Sequence, residues 1–590
     1  MPLFVEELTK AVLERSNDED RVAAVLSETA VTSLSVPPTL HSSLIARLDR
    51  MGPAAREIAQ IGAVLGREFG YELIERVARR PESELQAALA RLSEAGLLFC
   101  RGLPPASSYL FKHALVLDTA YGTLLRSRRQ ELHARVAAVL SQNFGELVER
   151  QPELLAQHLT AAGDNERAVE QWLRAGRYAA SRLAYREAIT HLEHGLAVLQ
   201  SLADSPARDD QEIELQLALG VSLFTAKGAV SALPACSRAH ELADQHGNPR
   251  QRFEAVYGVW QCHHVSGTVV AARQFSERLL FMTKSEPDTG LRLQAHHSCW
   301  ASSALLGELS KSRKHADTGR QLYDPEQHRA HRFIYSGHDP GVCARYVGAL
   351  TEWLLYPDKA SASIADAFAL ADHLAHPFTS MTAFVFGFAT FLSNRQPEEV
   401  LSRLETAEAL SVEQRLTFIT EPEILRGAAL VELGDIDEGT DLIRYGLTKT
   451  RQRNATFFLP FGITSLAHGL MRRDEHRAAL TAVREGLEVA ATTGQHAWDA
   501  ELYRLGGAAC LADADADESQ RYFDQALRVA RQQQAKSYEL RTATSMARFW
   551  GEQGRRSEAR ELLQPIYAWF TEGLDTANLQ DAKALLAELA

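Results

Sequence analysis

GAALVELG at residues 427–434 is followed, forty residues on, by AHGLMRRD at 467–474, then by GAACLADA at 507–514 and ARFWGEQG at 547–554. Each stretch opens on a small residue and closes seven positions later on a small or breaking one. The same spacing joins Trp260 to Gly267 and, one period on, Trp300 to Gly307. Behind these turns lie Ala-rich amphipathic stretches at 438–447, 476–489, 519–529 and 557–570. One period therefore holds two helices of about sixteen residues, and such a repeat cannot bury its apolar face alone. A stacked α-α solenoid is the expected fold, and with it a binding or coupling scaffold.

The bulk numbers agree with that reading. At 590 residues the chain exceeds a single hydrophobic core, so several domains or one elongated array are expected. A net charge of −13 argues against a large nucleic-acid footprint. The six cysteines stand singly, with no CxxC pair, which fits small buried thiols in a reducing cytosol. No apolar run has the length of a membrane span, and the most apolar stretch, 381–392, suits a buried helix. The start, MPLFVEEL, lacks the basic and apolar regions of a signal peptide. The expectation is a soluble cytoplasmic protein without a membrane contact.

Three regions separate along the chain. Residues 1–30 read as an amphipathic helix carrying Leu3, Phe4, Leu8, Val12 and Leu13, broken at Asn17 to Asp20. Residues 31–135 hold helical patterns at 39–48, 54–65, from Tyr71, and 81–92. Two short strand-like runs, 97–101 and 108–112, then flank a Gly/Pro loop. Helices followed by a small hairpin make a winged helix. Residues 136–590 read as helical throughout, with early turns at Gly163 and at Leu183, a break at Asp204, Ser205 and Pro206, and a slipped period between Gly307 and Arg395. Tyr323 to Pro325 and Gly337 to Pro340 mark insertions there, and irregular segments of a solenoid map to one face, often the binding face. Residues 574–589 read as a capping helix. The small residues at the turns favour the tetratricopeptide class over HEAT repeats. The fold class is thus all-α: a winged helix followed by a tetratricopeptide-like superhelical solenoid.

Chemistry-bearing motifs are few. Cys262, His263 and His264 recur loosely as His296, His297 and Cys299, but adjacent histidines point about 100° apart and cannot chelate as an i, i+4 couple would. A metal site would need both helices to converge; ordinary, partly buried imidazoles are the reading adopted, with no metal and no cofactor. Asp513, Asp515 and Asp517 resemble the start of a calcium loop, yet Glu518 stands where Gly is needed and Asp524 where a bidentate Glu belongs. A solvated turn with a helix-capping Asp is expected instead. No phosphate loop, nucleophile elbow or HExxH occurs, so the chain is read as a non-enzyme. The best recognition-helix candidate carries Glu82, Glu84 and Glu94 against Arg91, which argues against DNA.

VPPTL at 36–40, LIARLDR at 44–50, FKHAL at 111–115 and WFTEGLDT at 569–576 resemble the bacterial signal-transduction ATPases with numerous domains, in particular the subgroup that joins a class III adenylate/guanylate cyclase to an ATPase and tetratricopeptide repeats. The resemblance implies that residues 1–30 are a remnant of the ATPase helical lid, with Pro2 in the adenine-facing motif and Met1 where that motif has Asn. On it the chain begins inside the lid motif and any ATPase or cyclase module acts in trans. It also implies that His113 reaches the ADP β-phosphate; the alternative is a histidine that caps the helix beginning near Ala114, and Ala114 stands where related switches often have Asp. The expected function is a regulatory fragment that binds a protein or small ligand on its repeats. The alternatives are a subunit completing a separately encoded ATPase or cyclase, or a winged-helix transcriptional regulator.

Overall fold

The computed structural model describes residues 38–590 apart from 336, 356, 394, 415–420, 454–455 and 572. Pro2 and the lid remnant at 1–30 lie outside the described residues. Thirty helices and three short strands make up the rest, in two compact units. One comprises the residues up to Ala175 with His194–Ala203, the other Gly176–Glu193 with Asp204–Ala590.

The first unit begins with the helices Pro38–Arg50, Gly52–Leu65, Tyr71–Ala78 and Glu82–Glu94. The five residues 66–70, between the second and third helical patterns, contain a strand, so the expected hairpin is a three-stranded sheet. Strands β1 (Glu68–Gly70), β2 (Leu98–Arg101) and β3 (Ser108–Phe111) pair antiparallel in the order β1-β3-β2. A three-residue strand is too short to show period-2 alternation; Phe69 alone turns inward, stacked on Tyr109 at 5.8 Å between ring centroids. Gly62 permits this approach, because a Cβ there would lie 2.7 Å from the Phe69 ring. Ile58, Ile61, Leu85, Leu92 and Phe111 close the core beneath the sheet.

The second unit is an array of antiparallel helix pairs. Pro249–Val265 with Val269–Met282 and Thr289–Leu305 with Leu309–Leu322 form two successive pairs. Pro422–Leu433 with Ile436–Gln452, Leu459–Arg472 with His476–Thr493, Asp499–Ala512 with Ala516–Gln532, and Lys536–Glu552 with Arg556–Ala568 continue the frame. Backbone conformation marks the period: Gly267, Gly307, Gly434, Asp474, Ala514 and Gly554 all have positive φ, each one closing the first helix of its pair. These are the positions that the sequence repeat singles out, and the array is a tetratricopeptide-like solenoid of forty-residue period. Caps sharpen the helix starts. Ser205 accepts from the Arg208 amide, and Asn248 forms a reciprocal capping box with Gln251. The apolar stretch at 381–392 lies within the helix Pro377–Ser393, and no helix among the described residues is long and apolar enough to cross a membrane. The C-terminal helix, Ala577–Glu588, starts three residues later than the sequence pattern and buries Leu579, Ala582, Leu585 and Leu586.

The slipped period has a structural counterpart. Between Leu309–Leu322 and Pro340–Leu355 the chain runs through an insert that, among the described residues, holds the short helix His331–Ile334. The unit's largest core cluster runs from Phe253 to Ala509, and Trp260, Trp300, Tyr257 and Tyr346 are among its fully buried side chains.

Candidate functional site

Helices Pro206–Lys227 and Pro249–Val265, the N-terminal residues of the second unit and the insert surround a cavity of about 380 Å³. Glycines let the Cys236 side chain pack closely into this wall. A Cβ on Gly220 would sit 2.7 Å from Cys236 Sγ, and one on Gly258 3.1 Å from the same atom. Leu217, Val221, Phe224, Phe333 and Ile334 supply an apolar wall.

The opposite wall is charged. Exposed Arg177 pairs with Glu214, and exposed Arg250 pairs with buried Glu254 at 2.7 Å. Burial pushes the Glu254 carboxyl up, and the guanidinium of Arg250 pulls the other way. Gln251 fixes the Glu214 side, donating through Nε2 to Asp210 Oδ1 (2.7 Å) and Glu214 Oε1 (3.0 Å). Deeper in, the side-chain nitrogen of Gln261 is buried and meets no acceptor among the described residues. The arrangement offers an unmet donor, two cations that already hold carboxylates, and an apolar surface. It can bind an organic group bearing both charge and hydrocarbon.

A second, smaller cavity of about 50 Å³ adjoins it, sharing Gln261 and Phe224. Its lining is aromatic and imidazole-rich. Trp260 stacks on His264 at 5.2 Å, His297 on Trp300 at 4.8 Å, and Phe457 and Phe458 close the far side. Burial drives the imidazole of His264 down to about 3 and that of His297 well below its ordinary value. Burial also pushes the Cys343 thiol up to about 12.

The histidines singled out in the sequence divide by depth. His264 and His297 are fully buried rather than partly so, while His263 and His296 are half-buried. Their cysteines do not converge: Cys262 Sγ lies 3.8 Å from Cys236 Sγ, and Cys299 Sγ 3.6 Å from the Ser276 carbonyl. Asp515 caps Ala516–Gln532 by accepting from the Glu518 amide at 3.0 Å, as a capping turn does. His113 occupies the N-cap position of Ala114–Gly122; its carbonyl accepts from Val116, and its side chain makes no capping bond. The outward face of Glu82–Glu94 presents Glu82, Glu84, Arg91 and Glu94. Sequence reasoning did not find Arg250, Glu254, Tyr257 or Gln261, which carry no motif. The signal present was the insert, whose residues line both cavities.

No family model matches the chain. A search of curated proteins finds an uncharacterized protein of Rhizobium meliloti (strain 1021), 28% identical over 515 residues. The match takes in 85% of this chain, which spans about half (49%) the length of that relative. Among solved structures, a Rap protein complexed with competence and sporulation factor has a TM-score of 0.36 at 12% identity, covering 72% of this chain and 100% of that one. A signal-transduction ATPase with a tetratricopeptide repeat sensor from Pyrococcus horikoshii has a TM-score of 0.27 at 11% identity, covering 98% of this chain and 73% of that one. Yeast Tom70 scores 0.31 at 11% identity, with 72% and 96% covered. At those values the likenesses decide nothing about site or ligand, and the repeat fold stands on the helix pairs themselves.

Proposed function

We propose that this chain is a regulatory, non-catalytic protein of the cytoplasm whose helical repeats bind a small organic ligand or a short peptide segment. The carrying observation is the Gln261 side-chain nitrogen, buried in a cavity of about 380 Å³ without an acceptor among the described residues. A buried donor left unmet costs about 1–3 kcal/mol, which a ligand carbonyl or carboxylate recovers. The volume falls in the range of small-molecule sites, with few polar groups set into an apolar lining. Arg177 and Arg250 at the mouth suit a carboxylate, and Glu214 and Glu254 an ammonium, so a zwitterion such as a peptide fits best.

The four helices and three-stranded sheet at 38–111 support a winged-helix reading of the first unit. Taken with the motifs at 44–50 and 111–115, that favours a role in a signal-transduction ATPase of the cyclase-linked type, coupled to a nucleotide-binding module. Ligand on the repeats would then bias that module through a coupling free energy between two sites.

The test is calorimetry with short apolar peptides bearing free termini, on the wild type, Ala218→Trp and Gln261→Leu. Filling the cavity with Trp is expected to abolish binding, and Gln261→Leu to weaken it roughly tenfold. Equal affinity in all three would sink the reading. ATP and ADP are titrated in parallel with His113→Ala: a nucleotide signal lost in the variant supports the switch contact, and no signal in either removes it.

A further inference from the structure

The second cavity carries chemistry that peptide binding does not use. Among the described residues, His297, His338 and Cys343 each offer one ligand atom, and those atoms all lie within 4.8 Å of one another. The three come from different places: the helix Thr289–Leu305, the insert, and the helix Pro340–Leu355. We propose that His297, His338 and Cys343 form a binding site for a single divalent cation of the zinc class.

Three features of the surroundings favour a metal over a simple cluster of buried side chains. His297 is already oriented: its Nδ1 lies 3.0 Å from both Tyr257 Oη and Gln294 Oε1, leaving Nε2 as the ligating atom. Metal-binding imidazoles are held in this way, one nitrogen engaged by an oxygen so that the other keeps its lone pair. Gln294 is itself anchored on His331 Nδ1 at 2.9 Å. Next, the Trp300 indole N–H donates to Cys343 Sγ at 3.3 Å. Indole is only a donor, so it suits a sulfur that carries negative charge, as a metal-bound thiolate does. Finally, the cavity supplies a further donor. His264 lines the same wall, and its Nδ1 is buried without a hydrogen-bond partner among the described residues.

The donor set selects the cation. Two imidazoles and one thiolate exclude magnesium and calcium, which take oxygen, and suit zinc with a fourth position for His264, water or a ligand atom. Around a tetrahedral zinc the donor atoms stand roughly 3.5 Å apart, so closing on the cation asks for a contraction of at most about an ångström or slightly more. Binding makes two metal–nitrogen bonds and one metal–sulfur bond and sends the Cys343 proton to solvent. The cation would tie the insert, through His338, to the array. It would also sit beside Gln261, at the wall shared with the larger cavity.

The test is spectroscopic and independent of any peptide. Cobalt(II) chloride is titrated into the reduced full-length chain and followed for tetrahedral d–d bands and thiolate-to-cobalt charge transfer, with zinc as the displacing ion. One equivalent giving both bands is the expected result. Cys343→Ser should lose the charge-transfer band, His338→Ala should weaken cobalt binding roughly tenfold or more, and Cys510→Ser should change neither. No charge transfer in the wild type, or its survival in Cys343→Ser, overturns the site. X-ray absorption on the zinc-loaded wild type requires no substitution: one sulfur in the coordination shell supports the assignment, and none or several refutes it.

Discussion

His133 and His158 face each other in the first unit with their Nδ1 atoms 2.9 Å apart, and Tyr121 Oη lies 3.1 Å from His133 Nε2. Such a chain works when both imidazoles are neutral, one donating and one accepting. Burial, then the neighbouring His133, depresses His158 from the ordinary 6.5 to about 4, and burial with nearby Arg129 lowers His133 as well. The sign follows from linkage. Between those two pH values the unfolded chain binds the extra proton, so stability falls as pH drops. The His158 shift alone corresponds to about 3 kcal/mol lost between pH 6.5 and 4. Urea unfolding across that window should show a steeper loss for the wild type than for His158→Gln; identical slopes would contradict the assignment. Glu501 is the opposite case. Burial would push its carboxyl up, but Arg504 at 2.7 Å and Arg541 at 2.8 Å prevail and hold it at about 2. Glu501→Gln leaves two guanidiniums facing each other without their anion. A loss of about 3–5 kcal/mol is expected, read as a shifted urea midpoint at unchanged slope.

At the scale of helices, the repeat is legible because its constraints are local. A Cβ on Gly427 would lie 2.4 Å from the Gly439 carbonyl, and one on Gly439 2.6 Å from that of Gly427, so this pair of helices meets backbone to backbone. Gly427→Ala should therefore cost about 1–3 kcal/mol by forcing the pair apart. Ala514 gives the converse prediction. Its φ of 61° strains a residue with a Cβ, and Ala514→Gly should raise stability by about 1 kcal/mol in thermal unfolding. Small residues at contacts and turns recur visibly in the sequence, which is why the forty-residue frame and its turns could be read there. Strand β1 could not be, since Phe69 is a single inward residue whose pairing depends on Tyr109, forty positions away. The cavities were hidden for the same reason. Glu214, Arg250 and Gln261 look like ordinary helix-surface residues until folding sets them together, and Cys343 meets His297 only through packing of two helices. What the sequence did carry was the irregular segment from Tyr323 to Pro340, and that segment supplies His338 and Phe333.

Across the second unit, contacts reach far beyond adjacent pairs. Thr456 donates to the Ser266 carbonyl at 2.5 Å, the Ala497 amide donates to Leu305 at 3.2 Å, and Ser537 donates to the Trp353 carbonyl. Trp353 and Tyr538 meet edge to face at 5.5 Å, both buried, although 185 residues separate them in sequence. An ideal solenoid distributes stability over nearest neighbours, so a local defect stays local. Here the array turns back on itself, and the insert with its two cavities sits among helices that these long-range contacts hold in place. Tyr538→Ala distinguishes the two regimes. Truncating a buried aromatic costs about 3–5 kcal/mol, and in a nearest-neighbour array amide exchange would accelerate around 536–568 alone. In this unit it should accelerate at 340–355 as well, measured by hydrogen exchange under native conditions. If it does, opening the C-terminal pairs also loosens the helix that carries Cys343, and the cavity walls share the stability of the whole array.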